Sequence, residues 1–162
     1  MGDHVTSEAD KALVLSRMHY YDKHPKKSQR FMDIFPIFTS PKATEIVISD
    51  LAGHISSKYD VENEVIAIIG PEAEGFVLGP LIAVRLGIPF IPARKQKKLP
   101  GDVQQQGYSK WSGSDVFEMQ SDAFKGLDTR KGAIIVDDSG KWALISFVRL
   151  KHVEPWYLLN GR

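Results

Sequence analysis

The stretch Ala-Ile-Ile-Val-Asp-Asp-Ser-Gly-Lys at residues 133–141 decides the fold predicted for this chain. Its apolar run is too short for a buried helix and is typical of a buried parallel strand. The run ends in two adjacent carboxylates and a small, flexible pair of residues. In open α/β sheets, ligands bind at the edge where the parallel strands end. The stretch therefore predicts a central strand that leads into a binding crevice.

The two carboxylates, Asp137 and Asp138, are predicted to point to opposite faces because a strand alternates its side chains. Two acids arranged in this way do not form a close acid/base pair. They suit the paired hydroxyls of a sugar, or a sugar with a hydrated cation. The alternative is a strand end whose acids are simply solvated, and this stretch alone does not decide between the two.

Length and composition predict one ordinary globular domain over residues 1–162, with residues 1–10 as a disordered tail. The net charge of +1 gives no bulk signal for nucleic acid. Cysteine is absent, which excludes disulfides and thiol catalysis and favours a reducing compartment. There is no apolar run long enough to span a bilayer and no secretory signal pattern, so we expect a cytoplasmic protein without membrane association.

The periodicity of apolar residues predicts the order of the other elements. A short helix is predicted over residues 11–21, and a covering helix begins with Ser40 as N-cap and Pro41 at its first position and runs to about Tyr59. Residues 65–69 form a predicted strand, residues 77–86 a helix closed by Gly87, and residues 89–93 a further strand. This order predicts a parallel strand-helix-strand crossover.

A basic segment follows the last of these strands. Residues 94–101 carry four cations, which form either a solvated loop or, at the carboxyl end of a parallel strand, a clamp for a phosphate or diphosphate. Residues 102–114 are polar and predict a mobile flap or a disordered excursion, and residues 116–120 predict an edge strand.

Several segments together resemble the adenine phosphoribosyltransferases in order and approximate spacing. They are residues 31–34, 70–80, 94–101, 108–113 and 134–138. The most specific are Glu74-Gly75-Phe76-Val77-Leu78-Gly79-Pro80, similar to the family's Arg-Gly-Phe-x-Phe-Gly-Pro, and Arg94-Lys95 with Lys98-Leu99-Pro100-Gly101, similar to its Arg-Lys-x-x-Lys-Leu-Pro-Gly. The resemblance implies the α/β fold of type I phosphoribosyltransferases: a central, mainly parallel sheet flanked by helices, a mobile lid loop and, here, a shortened C-terminal part.

The resemblance also implies an activity, in which adenine and 5-phosphoribosyl 1-diphosphate give AMP and diphosphate. Mg²⁺ enters with the substrate and has no direct protein ligand, and the enzyme is expected to be a homodimer. The implied catalytic residues are Asp137 and Asp138, which hold the ribose hydroxyls, and Tyr108 of the lid. The implied substrate-binding residues are Arg30, Phe31, Glu74, Arg94, Lys95, Lys98, Ser139, Gly140 and Lys141. Among these, Phe31 would stack on adenine. Arg94, Lys95 and Lys98 of the basic segment would bind the diphosphate.

The chain departs from the family pattern within the implied site. Glu74 replaces an arginine of the diphosphate loop, and the loss of one charge-assisted contact costs about 1.5 to 3 kcal/mol before repulsion is counted. Ser139-Gly140-Lys141-Trp142 replaces Ala-Thr-Gly-Gly-Thr, although Lys141 would supply charge to a phosphate. The lid reads Tyr-Ser-Lys-Trp-Ser-Gly over residues 108–113, against the family's Tyr-x-x-Glu-Tyr-Gly.

Three hypotheses on function follow. The first is an adenine phosphoribosyltransferase of purine salvage, impaired by these departures. The second is a non-catalytic homologue or isoform that keeps the fold and acts through dimerisation or weak nucleotide binding. The third is a module whose basic loop binds polyphosphate or RNA, which the short loop and the nearly neutral chain disfavour.

Overall fold

The computed structural model describes residues 6–22, 30–110, 113–137 and 144–149. Contacts between Cα atoms divide the chain into two compact units, Met1–His54 and Ile55–Arg162. The single domain predicted for residues 1–162 stays a prediction. In chain order the elements are α1 (Glu8–Arg17), β1 (His19–Asp22), β2 (Arg30–Asp33), a 3-10 helix (Phe35–Thr39), α2 (Pro41–Lys58), α3 (Val61–Glu64), β3 (Val65–Pro71), α4 (Glu74–Leu86), β4 (Phe90–Lys95), β5 (Val103–Lys110), β6 (Gly113–Gln120), β7 (Gly132–Asp137) and β8 (Leu144–Arg149).

The N-terminal helix α1 begins earlier and ends earlier than predicted. Ser7 is its N-cap, and the Ser7 hydroxyl accepts a hydrogen bond from the Asp10 backbone N–H at 3.1 Å. This cap starts the helix at Glu8, inside the stretch predicted as a disordered tail. Tyr20 and Tyr21, predicted as helical, lie instead in β1, which pairs antiparallel with β2. Aromatic residues favour a strand with a paired neighbour, and this pairing overrides the weak helical spacing.

The start of α2 follows the predicted capping pattern. The Ala43 backbone N–H donates to the Ser40 hydroxyl at 3.4 Å, and Pro41 is the first helical residue. Proline is tolerated there because the first N–H of a helix has no partner within it. The predicted cap and first position are therefore confirmed.

The second unit is built on a six-stranded sheet in the order β5-β6-β4-β3-β7-β8. The central strand β3 is parallel to β4 on one side and to β7 on the other. The predicted crossover from β3 through α4 to β4 is confirmed, and α4 ends before Gly87, whose φ of 69° is left-handed. The outer pairs β4–β6, β5–β6 and β7–β8 are antiparallel, so the sheet is mixed, with a parallel centre.

The apolar runs of β3 and β7 are buried along the strands, as their composition predicted. Helix α4 packs on β3, β4 and β7. The core cluster of the sheet includes Ile69, Ile91 and Ile135 from the three central strands, and Phe124 and Leu127 pack against it. Because β3, β4 and β7 run parallel, their carboxyl ends lie along the same edge of the sheet.

The flap predicted over residues 102–114 is a strand in the structure. Residues 103–110 form β5, which pairs with β6 in an antiparallel hairpin, so the alternative of a disordered excursion is wrong for these residues, and the mobility of the flap stays a prediction. The strand predicted at residues 116–120 is confirmed, but it lies between β5 and β4 and not at the edge. Phe117 and Met119 of β6 are buried, as expected for an inner strand. Strand β5 is polar and lies at the edge, so the pattern of apolar residues did not predict it.

The last described residues, 144–149, add a strand to the sheet. Strand β8 pairs antiparallel with β7, and the Phe147 ring stacks on Tyr59 with a centroid separation of 4.6 Å and an interplanar angle of 15°. A strand at this place was not predicted, because the sequence there departs from the family pattern. Among the residues that the structure describes, no helix is long and apolar enough to cross a bilayer.

Asp128 and Arg130 form an ion pair in the turn that precedes β7. Arg130 Nε and Nη2 each donate to a carboxylate oxygen of Asp128 at 2.8 Å. Hydrogen bonds from the Arg130 side chain and backbone lower the pKa of Asp128 from 3.8 to about 2. Because the folded-state pKa is depressed, the pair stabilises the fold above the unfolded value, and this contribution is lost as the pH falls through about 2.

An NMR titration of the Asp128 carboxyl is expected to give an apparent pKa of about 2. In Arg130→Ala, the pKa should return towards 3.8, because the hydrogen bonds that favour the carboxylate are gone. The same pKa in both proteins would show that the pair does not form in solution.

Candidate active site

The candidate site is built at the carboxyl ends of the three parallel strands. Asp137 is the last residue of β7 and is half-buried, Arg94 and Lys95 end β4, and Glu72 follows β3. The strand register pairs Ile69 with Ile135. The structure thus brings Asp137 and the basic segment to the same sheet edge, as predicted. Asp138 lies outside the described residues.

Two glycines let the loop after β3 approach the neighbouring strands. A Cβ atom at Gly75 would lie 2.7 Å from the Val136 carbonyl oxygen and 2.9 Å from the Gly70 backbone. Real Cβ atoms do not approach backbone atoms this closely, so position 75 accepts only glycine without a backbone shift. The contact holds the loop from Glu72 to Gly75 against the end of β7, one residue before Asp137.

Gly75→Ala is expected to lower the free energy of unfolding by about 1 to 3 kcal/mol, because the added methyl group would overlap two backbone segments. The measurement is urea denaturation followed by circular dichroism. Gly53→Ala is the matched control. A Cβ atom at Gly53 meets nothing within 4 Å, so this change within α2 should stabilise by about 0.5 to 1 kcal/mol. Equal effects at both positions would contradict the close approach.

Arg94 and Glu72 form an ion pair across the site. Arg94 Nε donates to the Glu72 carboxylate at 3.0 Å, and Arg94 Nη1 donates to the Lys98 carbonyl at 2.9 Å. Burial raises the pKa of the Glu72 carboxyl. The hydrogen bonds from the Arg94 side chain and the Lys95 N–H, with the charges of Arg94 and Lys98, more than offset this, so the pKa lies below 4.5. Arg94, predicted as a diphosphate ligand, therefore also orders the basic segment.

Two aromatic residues support Arg94 and were not predicted as part of the site. The Arg94 guanidinium carbon lies 5.9 Å from the centroid of the Phe76 ring, and Phe76 meets Phe90 edge-on at 6.1 Å. Such a cation–π contact is worth about 0.5 to 1 kcal/mol at an exposed site. Phe76 lies within residues 74–80, the segment that resembles a motif of the family, so this motif could have indicated Phe76 as a site residue. Lys95 and Lys98 are exposed and carry positive charge on the surface of this edge.

Glu74 begins α4 in the middle of the candidate site. Its carboxylate accepts a hydrogen bond from the Ala73 backbone N–H at 3.3 Å. A carboxylate is favourable in the first turn because the helix dipole is positive there. The same N–H groups and dipole would favour a bound anion, so Glu74 supplies a negative charge where a diphosphate would receive help from α4.

The remaining predicted site residues are distributed as follows. Phe31 lies half-buried in β2 of the first unit, opposite Tyr21, and its contact with adenine stays a prediction. For Arg30 in β2 and Tyr108 in β5, only the backbone is described, with Tyr108 opposite Asp115. Ser139, Gly140 and Lys141 lie outside the described residues.

Comparison with known proteins assigns the family, although no family model matches the chain. An adenine phosphoribosyltransferase of Yarrowia lipolytica is 38% identical over 123 residues, which are 76% of this chain and 65% of that protein. The adenine phosphoribosyltransferase of Helicobacter acinonychis is 34% identical over 151 residues, which are 91% of this chain and 81% of that protein. The chain belongs to the adenine phosphoribosyltransferase family. Members of this family are glycosyltransferases, and the resemblance seen in the motifs is confirmed.

A solved adenine phosphoribosyltransferase structure supports the predicted fold. The Saccharomyces cerevisiae protein, complexed with an imino-altritol bisphosphate and adenine, matches with a TM-score of 0.70 and 32% identity, over 82% of this chain and 73% of that one. The α/β phosphoribosyltransferase fold is therefore confirmed. The chain spans 65% of the length of the Y. lipolytica adenine phosphoribosyltransferase, just under two thirds.

Proposed function

We propose that this chain binds adenine and 5-phosphoribosyl 1-diphosphate in purine salvage and transfers the phosphoribosyl group to give AMP and diphosphate. The observation that carries the proposal is the meeting of Asp137, the loop from Glu72 to Gly75 and the basic segment at one edge of a parallel sheet. The S. cerevisiae relative, whose structure holds adenine and a sugar bisphosphate analogue, supports this choice of substrates.

The proposed reaction needs separate surfaces for the sugar, the leaving group and the base. Departure of diphosphate leaves an electron-poor ribose ring, so positioning and neutralisation of the leaving group dominate catalysis. Asp137 with Asp138 would hold the ribose hydroxyls, and Lys95 and Lys98 would meet the diphosphate. Arg94 would contribute charge from its ordered position beside Glu72.

The remaining roles rest on the family motifs. Phe31 would stack on adenine, Arg30 would contribute to substrate binding, and Tyr108 would belong to the lid, in the hairpin of β5 and β6. The residues Ser139, Gly140 and Lys141 would receive the 5-phosphate through backbone N–H groups, a hydroxyl and one cation.

A Mg²⁺ ion would enter this site with the diphosphate of the substrate. In residues 6–22, 30–110, 113–137 and 144–149, no three histidine, aspartate or glutamate side chains are grouped so as to hold a metal ion. Magnesium usually keeps several waters and takes substrate phosphate oxygens with one or two carboxylates. Asp137, which would hold the sugar, would meet the hydrated ion only through its waters and would not ligate it directly. When bound, the ion would neutralise charge on the leaving diphosphate.

The assay is the conversion of radiolabelled adenine to AMP by purified protein with 5-phosphoribosyl 1-diphosphate and Mg²⁺. AMP formation that depends on the phosphoribosyl donor would support transfer. The second candidate, a non-catalytic homologue, is favoured by Glu74, whose charge opposes the diphosphate. It predicts AMP binding in calorimetry without turnover, a result that would overturn transfer by this chain. Absence of both turnover and binding would overturn both candidates.

A homodimer and a cytoplasmic location complete the proposal. Leu81 and Val84 on α4 are 42% and 83% exposed, and apolar side chains this accessible favour a partner surface. Closed two-fold dimers are the commonest soluble assemblies. Light scattering after gel filtration should give twice the monomer mass, and Val84→Lys should shift the equilibrium towards monomer. Cell fractionation tests the location.

A further inference from the structure

A buried carboxylate lies directly behind the basic segment. Glu118 of β6 is 2% exposed and, among the residues whose burial the structure describes, is the only buried charged one. Burying a carboxylate is costly unless hydrogen bonds satisfy it. Its partners therefore indicate what the buried charge supports.

Both oxygens of the Glu118 carboxylate accept hydrogen bonds from neighbouring segments. Oε2 accepts from the Lys97 backbone N–H at 2.8 Å, and Oε1 accepts from Gln105 Nε2 at 2.8 Å. The strand register places Glu118 opposite Arg94 of β4 and opposite Gln105 of β5. One carboxylate thus joins the hairpin of β5 and β6 to the turn that follows β4.

The bonded N–H belongs to a residue with an unusual backbone. Lys97 has a φ of 64°, a left-handed backbone conformation that non-glycine residues rarely adopt. The Glu118 carboxylate stabilises this conformation from one side, and the bond from Arg94 Nη1 to the Lys98 carbonyl closes the turn from the other. The backbone conformation of this turn fixes the positions from which the exposed side chains of Lys95 and Lys98 extend.

We propose that Glu118 is a positioning residue for diphosphate binding, which it serves by fixing the turn of residues 94–98 through the Lys97 N–H. The inference rests on the proposed function, since it assigns the diphosphate group to this turn. Glu118 does not itself face the anion. Its negative charge is buried behind the turn, where it supports the backbone, while the lysine side chains are exposed.

The test compares Glu118→Gln with the unchanged protein by calorimetry, using inorganic diphosphate with Mg²⁺ and, separately, AMP. Glutamine keeps the shape, but its amide nitrogen cannot accept, so one of the two donors loses its partner. We expect diphosphate affinity to fall about tenfold, as for loss of one hydrogen bond to a charged group. AMP has no diphosphate, so its affinity should stay within about twofold. Glu62→Gln, at an exposed glutamate of α3, is the matched control and should bind both ligands as the unchanged protein does.

Each outcome decides the inference. Equal diphosphate affinity in Glu118→Gln and the unchanged protein would overturn the positioning role and leave the proposed function intact. An equal loss of diphosphate and AMP affinity would also overturn it, because the effect would then be general. If the unchanged protein binds neither ligand, the proposed function fails, and the inference fails with it. If Glu118→Gln does not fold, Gln105→Ala at an exposed position replaces it, and a diphosphate-specific loss of about threefold is expected.

Discussion

Replacing Glu74 with arginine is expected to tighten the binding of diphosphate by about tenfold to a hundredfold. The change removes a carboxylate that accepts the Ala73 N–H in the first turn of α4 and adds a guanidinium able to bind phosphate oxygens in pairs. The measurement is calorimetric titration of Glu74→Arg with diphosphate and Mg²⁺ at fixed ionic strength.

Two further variants separate the causes of this expected gain. Glu74→Gln removes the repulsion without adding a cation, so we expect a smaller gain of about threefold to tenfold. Glu62→Arg makes the same change in net charge at an exposed position in α3 and should leave the affinity within about twofold, because charges far from the site are screened. If Glu74→Arg binds diphosphate no better than the unchanged protein, the loop before α4 is not the diphosphate site.

Asp137→Asn is expected to lower kcat/KM for 5-phosphoribosyl 1-diphosphate by about a hundredfold. The carboxylate at the end of β7 would accept charge-assisted hydrogen bonds from a ribose hydroxyl, and an amide replaces this charge with a weaker dipole. The measurement is the AMP-forming assay at saturating adenine. If turnover is too slow to follow, calorimetry should show the same weakening with the phosphoribosyl donor alone.

Asp128→Asn provides the matched control for this prediction. Asp128 pairs with Arg130 in the turn before β7, away from the carboxyl ends of the strands, so its amide variant should keep kcat/KM within about twofold. Equal losses in Asp128→Asn and Asp137→Asn would point to a general effect on stability. Full activity of Asp137→Asn would remove Asp137 from the site.

The parts of the fold that were predicted are those in which local pattern and burial agree. The apolar runs of β3 and β7 could be recognised because parallel strands are buried on both faces. Their parallel pairing implied that Asp137 and Arg94 would reach one edge of the sheet, and the structure places them there. Ser40 and Pro41 were recognised because a helix start depends on a few neighbouring residues.

The parts that were not predicted depend on contacts between distant residues. Strand β5 is polar because it occupies an edge, so its pairing with β6 leaves no apolar signal in the sequence. A glutamate within a strand usually faces water. Glu118 is buried because the turn after β4 packs against β6, and this contact between distant segments cannot be inferred from the residues next to Glu118. The pair of Glu72 and Arg94 likewise joins residues whose spacing along the chain carries no periodic signal.

The order of the strands also constrains how the protein is made. The central strand β3 has β4 on one side, which follows it soon in the chain, but its other neighbour β7 is synthesised only after the whole β5–β6 hairpin. Contacts of high sequence separation form slowly, because loop closure must precede them. On the ribosome, one side of β3 therefore stays without its strand partner until residue 137 has left the exit tunnel, and an unpaired apolar strand edge of this kind is prone to aggregation during translation.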